Sequence, residues 1–396
     1  MLEAWVLAKV WWAVRAVVIS LSALPWLLPL ASLAGCAGAV YAMGFRRDRR
    51  AAGWMAGILL VTGAGDGLVL AALPWLGVSF GPVGLPWLAM VMVRAGMAGA
   101  IQLPRLKVRR GATAVKIGLL GAASVLLLAA EVYALYVEPL EVTVTRRDIV
   151  LPGLAPAEAA AEAAPVRLVQ LSDLHIERVT ARETTMLAAV QALKPDLIVL
   201  TGDYLNLSYI NDAEARQAAR AVLGQLQAPY GVYAVRGTVD NAETARALFA
   251  GLDNVVLLTD EVRPVTVRGQ TLYLLGVTDA ESIRNDGDML HQLMRQMPPD
   301  VPTILLYHTP DLIETAAAEG VDLYLAGHTH GGQVRLPWYG ALITASRFGK
   351  RYEAGYYRVG PTQLYVSRGL GMEGLGAPRV RFLCPPEVVA LDAQIR

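Results

Sequence analysis

Two different hydrophobic patterns divide the chain near residue 140. Before that point, long apolar stretches follow one another with short polar breaks, and each stretch has the length of a membrane-spanning helix, roughly 20 residues. They cover residues 17–45, 51–78, 83–103 and 117–137. After residue 166 the apolar runs are short and rich in Val, Leu and Tyr, which is typical of buried strands. The pattern therefore predicts a bundle of about four transmembrane helices over 1–140 and a separate domain over 141–396.

In the second domain, strand-like runs alternate with helix-like stretches, which predicts an α/β fold. The strand-like runs read VRLVQLS, DLIVLTGD, GVYAVRG, LYLLGV, PTILLYH, VDLYLAGH and QLYVSRG. Helix-like stretches cover 184–193, 213–226 and 241–252. The segment LEVTVTRRDIVL alternates like a strand and is assigned to the same domain, while the Ala-rich stretch 155–164 is interpreted as a spacer or a short helix.

Charge separates the two parts of the chain further and predicts a topology. Residues 1–140 carry a net charge of +7 and residues 141–396 a net charge of −6. Two short loops, 46–50 and 105–116, are basic, and placing both in the cytoplasm puts the second domain on the outer face of the membrane. An additional span within residues 1–16 would reverse that side. Inside the spans, Asp66 and Arg94 are predicted to pair with each other, with Asp66 as part of a polar pathway as the alternative.

Metal-type side chains follow several of the predicted strands. The runs end in SDLHI, TGDY, LLYHTPD and AGHTHGG, which place two aspartates and four of the five histidines just after strands. These residues are Asp173, His175, Asp203, His308, His328 and His330. Ligands bind where parallel strands end, and mixed imidazole and carboxylate ligands suit Mn, Fe, Zn or Ni. Six such groups exceed what one tetrahedral ion needs, so two ions with one bridging carboxylate are predicted. The remaining histidine, His291, is interpreted as a surface residue.

The order of these motifs resembles the calcineurin-like metallophosphoesterase superfamily, in particular its bacterial membrane-associated branch. The resemblance extends from about Glu141 to the C-terminus through SDLH, TGD, GHTHGGQVRLP and YVSRGLG…PPEVVAL. It implies a two-sheet β-sandwich flanked by helices, with two divalent ions near the strand ends. It also implies that a metal-bound hydroxide attacks phosphorus in line while the two cations hold the phosphate oxygens.

The resemblance assigns roles to the candidate ligands. Asp173, His175 and His330 are expected to hold the first ion, His308 and His328 the second, and Asp203 is expected to bridge them.

The turn VRGTVDN departs from the family pattern, in which Gly-Asn-His precedes an acidic residue. Val239 stands at the histidine position and can neither donate nor accept a proton, and Thr238 replaces the asparagine ligand. Three replacements for that ligand stay open: the Thr238 hydroxyl, a water molecule, or Asn241. Each predicts a second metal site that is weaker than the first. Arg236 and Arg368 are candidate phosphate contacts, with a surface arginine or a salt bridge as the alternative for each.

The apolar spans and the phosphoesterase motifs together predict a hydrolase of the bacterial inner membrane that acts on a phospholipid or a lipid-linked phosphate. The expected partners are membrane lipids and the phosphate ester, and the sequence identifies no protein partner. One alternative substrate is a nucleotide-linked lipid precursor such as a UDP-acyl sugar, and a second alternative is a catalytically weak metal-binding sensor or scaffold. Nucleic-acid binding is disfavoured because the second domain is acidic and has no basic stripe.

Overall fold

A computed structural model describes residues 27–45, 49–81, 83–102, 112–152, 164–280, 282–298, 300–373 and 379–396. The predicted features at residues 1–16, 46–47 and 105–110, residues 17–26 of the first predicted span, and most of the Ala-rich stretch lie outside these residues. The chain divides into two compact units, one formed by 1–137 with 374–379 and the other by 138–373 with 380–396.

The described part of the first unit is helical. Its helices are α1 (Leu27–Phe45), α2 (Arg49–Ala72), α3 (Gly84–Gln102) and α4 (Ala112–Val132), and a π-helical turn, Tyr133–Val137, follows α4. Two helical segments, Arg49–Ala72 and Val115–Leu140, are long and apolar enough to cross a membrane. The apolar parts of the other two helices, Leu27–Ala42 and Pro86–Ile101, are only 10–17 residues long. Within the described residues the structure thus supports two candidate spans and not the four predicted.

The predicted pairing inside the helical unit is confirmed. Arg94 on α3 donates two hydrogen bonds of 2.6 Å to the carboxylate of Asp66 on α2. Its guanidinium also lies 3.1 Å from Glu131 on α4. A charge buried in an apolar bundle is costly unless it is paired, so this network stabilises the contact between three helices.

Across its described residues, the second unit contains fourteen strands in three sheets. They are β1 (Thr143–Leu151), β2 (Val166–Leu171), β3 (Leu197–Leu200), β4 (Val232–Ala234), β5 (Val255–Leu257), β6 (Glu261–Val267), β7 (Gln270–Gly276), β8 (Thr303–Leu306), β9 (Leu323–Ala326), β10 (Arg335–Leu336), β11 (Gly340–Ala341), β12 (Gly355–Val359), β13 (Thr362–Val366) and β14 (Glu387–Ile395). The first six-stranded sheet has the order β1-β14-β2-β3-β4-β5, the second has the order β12-β13-β9-β8-β7-β6, and β10 and β11 form a hairpin.

Both large sheets are mixed, and in each of them the central strands are parallel. β2, β3, β4 and β5 run parallel, as do β7, β8, β9 and β13. The segment predicted as an extra strand is β1, which pairs in parallel with β14 from the other end of the domain. Because parallel strands end at the same edge, the residues that follow β2 and β3, and those that follow β8 and β9, are brought to one edge of each sheet.

Apolar side chains fill the space between the two sheets. Leu168 and Val199 of the first sheet pack in one buried cluster with Leu274, Ile304 and Leu325 of the second. Each is almost fully buried, and burying one such side chain contributes about 1.5–3 kcal/mol. The predicted α/β fold with two packed sheets is therefore confirmed.

Helices cover the outer faces of the sandwich. They are α5 (Ala181–Leu193), α6 (Ala213–Leu223), α7 (Ala242–Phe249), α8 (Ile283–Met294) and α9 (Ile313–Glu319). α5, α6 and α7 pack on the first sheet, and α8 and α9 on the second. α5 begins with a capping box in which the Thr180 and Glu183 side chains satisfy each other's backbone N–H groups, an arrangement that fixes where a helix starts. The helix predicted over 213–226 ends earlier, at Leu223, where Gly224 forms its C-cap.

Candidate metal centre

All six predicted ligands lie just beyond the carboxyl ends of central strands. Asp173 and His175 follow β2, and Asp203 follows β3. His308 follows β8, and His328 with His330 follows β9. The structure gathers them into two groups, Asp173 with His175 and His330, and Asp203 with His308 and His328, each with its ligand atoms within 4.8 Å of one another.

In the first group, two imidazole nitrogens face each other. The Nε2 atoms of His175 and His330 are 3.0 Å apart, and Asp173 Oδ1 lies 3.5 Å from His330 Nε2. Both rings are buried, and within the described residues His330 Nδ1 has no hydrogen-bond partner. Two ring nitrogens and a carboxylate oxygen that converge on one buried point form a donor set suited to a transition-metal ion.

In the second group, hydrogen bonds select which ring nitrogen is free. His308 Nδ1 lies 2.7 Å from the carbonyl oxygen of Thr201, and His328 Nε2 lies 2.9 Å from that of Ala345. A carbonyl only accepts, so these nitrogens carry the hydrogens, and in the neutral rings the lone pairs remain on His308 Nε2 and His328 Nδ1. Those two atoms are 3.2 Å apart. The tautomers needed for metal binding are therefore held by the backbone, as is common for metal-binding histidines.

Asp203 lies between the two groups. Its Oδ2 atom is 3.1 Å from His308 Nε2 in the second group and 3.7 Å from His175 Nε2 in the first. The backbone N–H of Val239 donates a 2.8 Å hydrogen bond to the other carboxylate oxygen, Oδ1. This is the position that a bridging carboxylate requires.

The backbone at the centre adopts conformations that non-glycine residues rarely use. Five of the six candidate ligands have positive φ: 50° at Asp173, 41° at His175, 57° at Asp203, 68° at His328 and 51° at His330. Each such residue costs on the order of 1–3 kcal/mol, and such strain clusters at functional sites. Stability elsewhere in the sandwich offsets this cost and keeps the ligand atoms together.

Two glycines allow the close approach of chain segments around the carboxylates. A Cβ atom on Gly237 would lie 2.2 Å from Asp203 Oδ1, and one on Gly327 would lie 2.2 Å from Asp173 Oδ2. No side chain fits at such distances. The glycines of the VRG and AGH motifs are therefore required for the ligand positions and not only for turns.

Nearby carboxylates stabilise positive charge in the second ligand group. Burial alone would lower the pKa of His308, but the charge and hydrogen bond of Asp203 raise that pKa to about 10. Burial opposes ionisation of Asp203 as well, yet the His308 imidazole lowers the pKa of that carboxyl below its ordinary value. Burial and the nearby charge of Asp203 raise the pKa of Asp240 to about 7. Protons or metal cations can supply the positive charge that this arrangement favours.

The GTVDN turn contacts Asp203 through Thr238 and Val239. The Thr238 hydroxyl lies 3.5 Å from Asp203 Oδ2, at the edge of hydrogen-bond distance. Asn241 does not reach the centre, because its side chain caps α7 by accepting from the backbone N–H of Thr244. Of the two side-chain replacements for the missing asparagine, only Thr238 therefore lies beside a candidate ligand.

The two arginines proposed for phosphate binding have protein partners. Arg236 donates to the carbonyl oxygen of Asp279 at 2.8 Å. Arg368 pairs with Glu387 at 3.2 Å and donates to the hydroxyl of Thr143 at 3.1 Å. Neither arginine belongs to the two ligand groups, and their phosphate contacts stay predictions.

His291 is on the surface, as predicted. Its side chain is 53% exposed on α8 and lies 2.9 Å from Glu319. It belongs to neither ligand group, and its contact with Glu319 is an ordinary surface interaction.

Two residues that the sequence did not single out support the first group. Glu373 Oε2 lies 3.4 Å from His175 Nδ1 and accepts a hydrogen bond from Leu207 N. Arg381 is fully buried and donates to the carbonyl oxygens of Gly369 and Gly371, in the loop that contacts Asp173 and His175. Glu373 lies in the segment that follows β13 at the ligand edge, so an acidic residue at that place was a weak indication in the sequence. Nothing in the sequence indicated Arg381.

This chain is similar to known proteins. The sequence model of the family described as calcineurin-like phosphoesterase matches residues 166–332. The uncharacterized metallophosphoesterase YkuE of Bacillus subtilis is 34% identical over 65% of this chain and 87% of its own length. The phosphodiesterase YaeI of Escherichia coli is 30% identical over 58% of this chain and 83% of its own length. The UDP-2,3-diacylglucosamine pyrophosphatase LpxG of Chlamydia muridarum is 27% identical over 65% of this chain and 91% of its own length.

Proposed function

Because the chain belongs to the calcineurin-like phosphoesterase family and is a metal-dependent phosphoesterase that uses two divalent ions, we propose that it hydrolyses a phosphate ester carried by a membrane lipid. The observation that supports this substrate class is that the chain with the metal centre also contains two helices with the length and composition of membrane spans. We also propose that residues 1–140 form the membrane domain and that residues 141–396 form the phosphoesterase domain. The bacterial inner membrane is the proposed location.

The donor set defines the proposed metal sites. Asp173, His175 and His330 would hold one ion, His308 and His328 the other, and Asp203 would contact both. When bound, the two ions neutralise phosphate oxygens and lower the pKa of the attacking water.

Hydrogen bonds within the chain orient two of the candidate ligands. Val239 N–H fixes the rotation of the Asp203 carboxylate, and the carbonyl of Thr201 fixes the tautomer of His308. The Thr238 hydroxyl is proposed as a neutral oxygen beside the second ion. Since oxygen of a hydroxyl is a weaker ligand than imidazole or carboxylate, the second ion is expected to bind less tightly than the first.

Val239 bears on the identity of the leaving group. Its side chain has no proton to give, so a leaving group that departs at this position must be stable without protonation. A phosphate group, with a pKa near 6, meets this condition far better than an alkoxide. This observation favours a second candidate, hydrolysis of a pyrophosphate bond in a nucleotide-linked lipid, and LpxG is a relative whose name states such a substrate.

The side of the membrane separates the two candidates. A nucleotide-linked lipid precursor is cytoplasmic, whereas the basic loops favour an outer location for the second domain. Cysteine introduced at the exposed Val150, labelled in intact cells with a membrane-impermeant maleimide, is expected to react without permeabilisation. Labelling only after permeabilisation would favour the nucleotide-linked substrate.

The test of the proposed function uses the full chain in detergent, stripped of metal and reloaded with Mn²⁺. It is assayed on bis(p-nitrophenyl) phosphate, p-nitrophenyl phosphate, phosphatidic acid and a UDP-linked diacylated sugar. Mn²⁺-dependent turnover of a lipid substrate is the expected result. Bound metal with turnover of none of the four would replace the proposal with the sensor or scaffold alternative.

A further inference from the structure

A short hairpin directly after the His328 and His330 motif exposes an unusual amount of apolar surface. This apolar hairpin, residues 335–343, consists of β10, β11, the turn between them and the two residues that follow. In the described residues of the second unit, nine large apolar side chains are exposed, and five of them lie within it. They are Leu336, Trp338, Tyr339, Leu342 and Ile343. Single exposed apolar residues are ordinary, but a contiguous group marks a surface that contacts something.

The turn of the apolar hairpin holds a tryptophan outward. Trp338 is fully exposed, and its φ is 62°, a value that bulky residues rarely adopt. Ile343 is 79% exposed. A large aromatic side chain that is both strained and uncovered is hard to explain by packing within the fold, since it makes little contact there. Its placement points outward, to a partner.

Positive charge surrounds this apolar surface. Residues 333–352 contain four basic residues, Arg335, Arg347, Lys350 and Arg351, and no acidic residue. Arg335 is paired with Glu353, and Lys350 Nζ lies 3.3 Å from the centre of the Tyr339 ring. Arg347 and Arg351 are exposed. An apolar, aromatic surface flanked by cations complements the headgroup and acyl boundary of an anionic bilayer.

The base of the apolar hairpin is fixed to the metal centre. The carbonyl oxygen of Ala345, two residues beyond the hairpin, accepts the 2.9 Å hydrogen bond of His328 Nε2. Ser346 Oγ donates at 2.6 Å to Asp311, three residues after His308. A surface contact made by the hairpin would therefore place the second ligand group at a defined distance from that surface.

We propose that the apolar hairpin docks on the surface of an anionic lipid bilayer and presents the metal centre to phosphate esters there. This rests on the proposed function, in which the substrate is carried by a lipid. Trp338 and Tyr339 are residue types that favour the headgroup level, and Leu342 with Ile343 supplies the apolar surface for the acyl boundary. In sequence, only Glu141 and Val142 separate the last candidate span from β1, so the domain is tethered to the membrane that it would contact.

The first test measures contact with lipid in the full chain, reconstituted into nanodiscs that contain phosphatidylglycerol. A fluorophore is attached to Ile343→Cys in a Cys36→Ser background, and a nitroxide-labelled lipid serves as quencher. The control is Val150→Cys, which is also exposed but lies near the end of β1, at the opposite edge of its sheet from the ligands. We expect quenching at position 343 to exceed that at position 150 by about threefold or more, because a fluorophore at position 343 would lie at the acyl boundary.

Two results would overturn the docking proposal. One is equal quenching at positions 343 and 150. The other is quenching between labels on two copies of the chain without quenching by lipid, which would make a second copy the occupant of the apolar hairpin.

The second test measures turnover of a lipid-embedded ester in the same nanodiscs. Trp338→Ser combined with Ile343→Ser is expected to raise the apparent KM roughly tenfold, because two anchoring side chains are lost, while Val150→Ser leaves it unchanged. An unchanged KM in the double variant would contradict the proposal. Turnover of soluble bis(p-nitrophenyl) phosphate by the wild-type chain reports on the metal centre itself, so failure of the proposed function can be told apart from failure of the docking.

Discussion

Glu373 provides a sharp test of how the first ligand group is held. Its Oε2 atom lies 3.4 Å from His175 Nδ1, and its backbone is fixed by two hydrogen bonds with the Gln333 side chain. The change Glu373→Gln removes the negative charge beside the imidazole but keeps the size and the backbone contacts. His175 Nε2 would then be a less basic ligand.

Partners of this kind are worth about 10–100-fold in metal affinity, which is about 1.4–2.7 kcal/mol. The Glu373 side chain is only 16% exposed, so solvent screens its charge incompletely and the full range applies. The loss is expected for one ion alone, because the second ligand group is oriented by the carbonyl oxygens of Thr201 and Ala345 and not by Glu373.

Calorimetric titration of the metal-stripped full chain with Mn²⁺ measures this effect, and the visible spectrum after loading with Co²⁺ reports the geometry of the altered site. Glu261→Gln is the matched control, since Glu261 pairs with Arg263 on the edge strand β6. If both affinities of Glu373→Gln lie within twofold of wild type, the reasoning about His175 is wrong.

Three further predictions concern stability, close packing and the leaving group. Neighbouring charge and hydrogen bonds overcome burial and lower the pKa of Glu183 below its ordinary value, so its carboxylate stabilises the fold above about pH 4 and this contribution is lost on acidification. Glu183→Gln should therefore reduce the free energy of unfolding by about 1 kcal/mol at pH 7, with the difference vanishing at low pH in denaturation curves. Gly237→Ala should lower kcat about 10²-fold by displacing Asp203, while Gly287→Ala, where the added Cβ meets only ordinary contacts at 3.6 Å, should keep wild-type kcat. Val239→His should raise kcat for esters with alcohol leaving groups by up to about 10²-fold and leave pyrophosphate cleavage nearly unchanged, as measured by the ratio of the two rates.

In the second domain, the sequence predicted the central strands and the candidate ligands that follow them. Short apolar runs identified the central strands, and the polar residues that follow them became the candidate ligands, because a parallel strand delivers its next residue to the ligand edge whatever the distant chain does. Asp173 and His330 could thus be associated although they are far apart in sequence.

Other features depend on distant contacts that leave no local pattern. The β1 and β14 pair joins the two ends of the domain, and Arg381 is recognisable only through the carbonyl groups that its guanidinium contacts. The exposure of Trp338 could not be predicted either, because an aromatic residue next to apolar neighbours is ordinarily buried. In the first unit, hydropathy alone suggested four spans, while helix length within the described residues supports two.

The central claim is that Asp203 and His330 belong to one metal centre that hydrolyses phosphate esters. It is tested most directly by the turnover of bis(p-nitrophenyl) phosphate and p-nitrophenyl phosphate by the metal-stripped full chain, with and without added Mn²⁺, beside Asp203→Asn and His330→Ala. The account predicts Mn²⁺-dependent hydrolysis by the wild-type chain that either substitution reduces at least 10²-fold or so, with reduced metal content in both variants. Hydrolysis that persists in both variants, or that does not depend on metal, would contradict it.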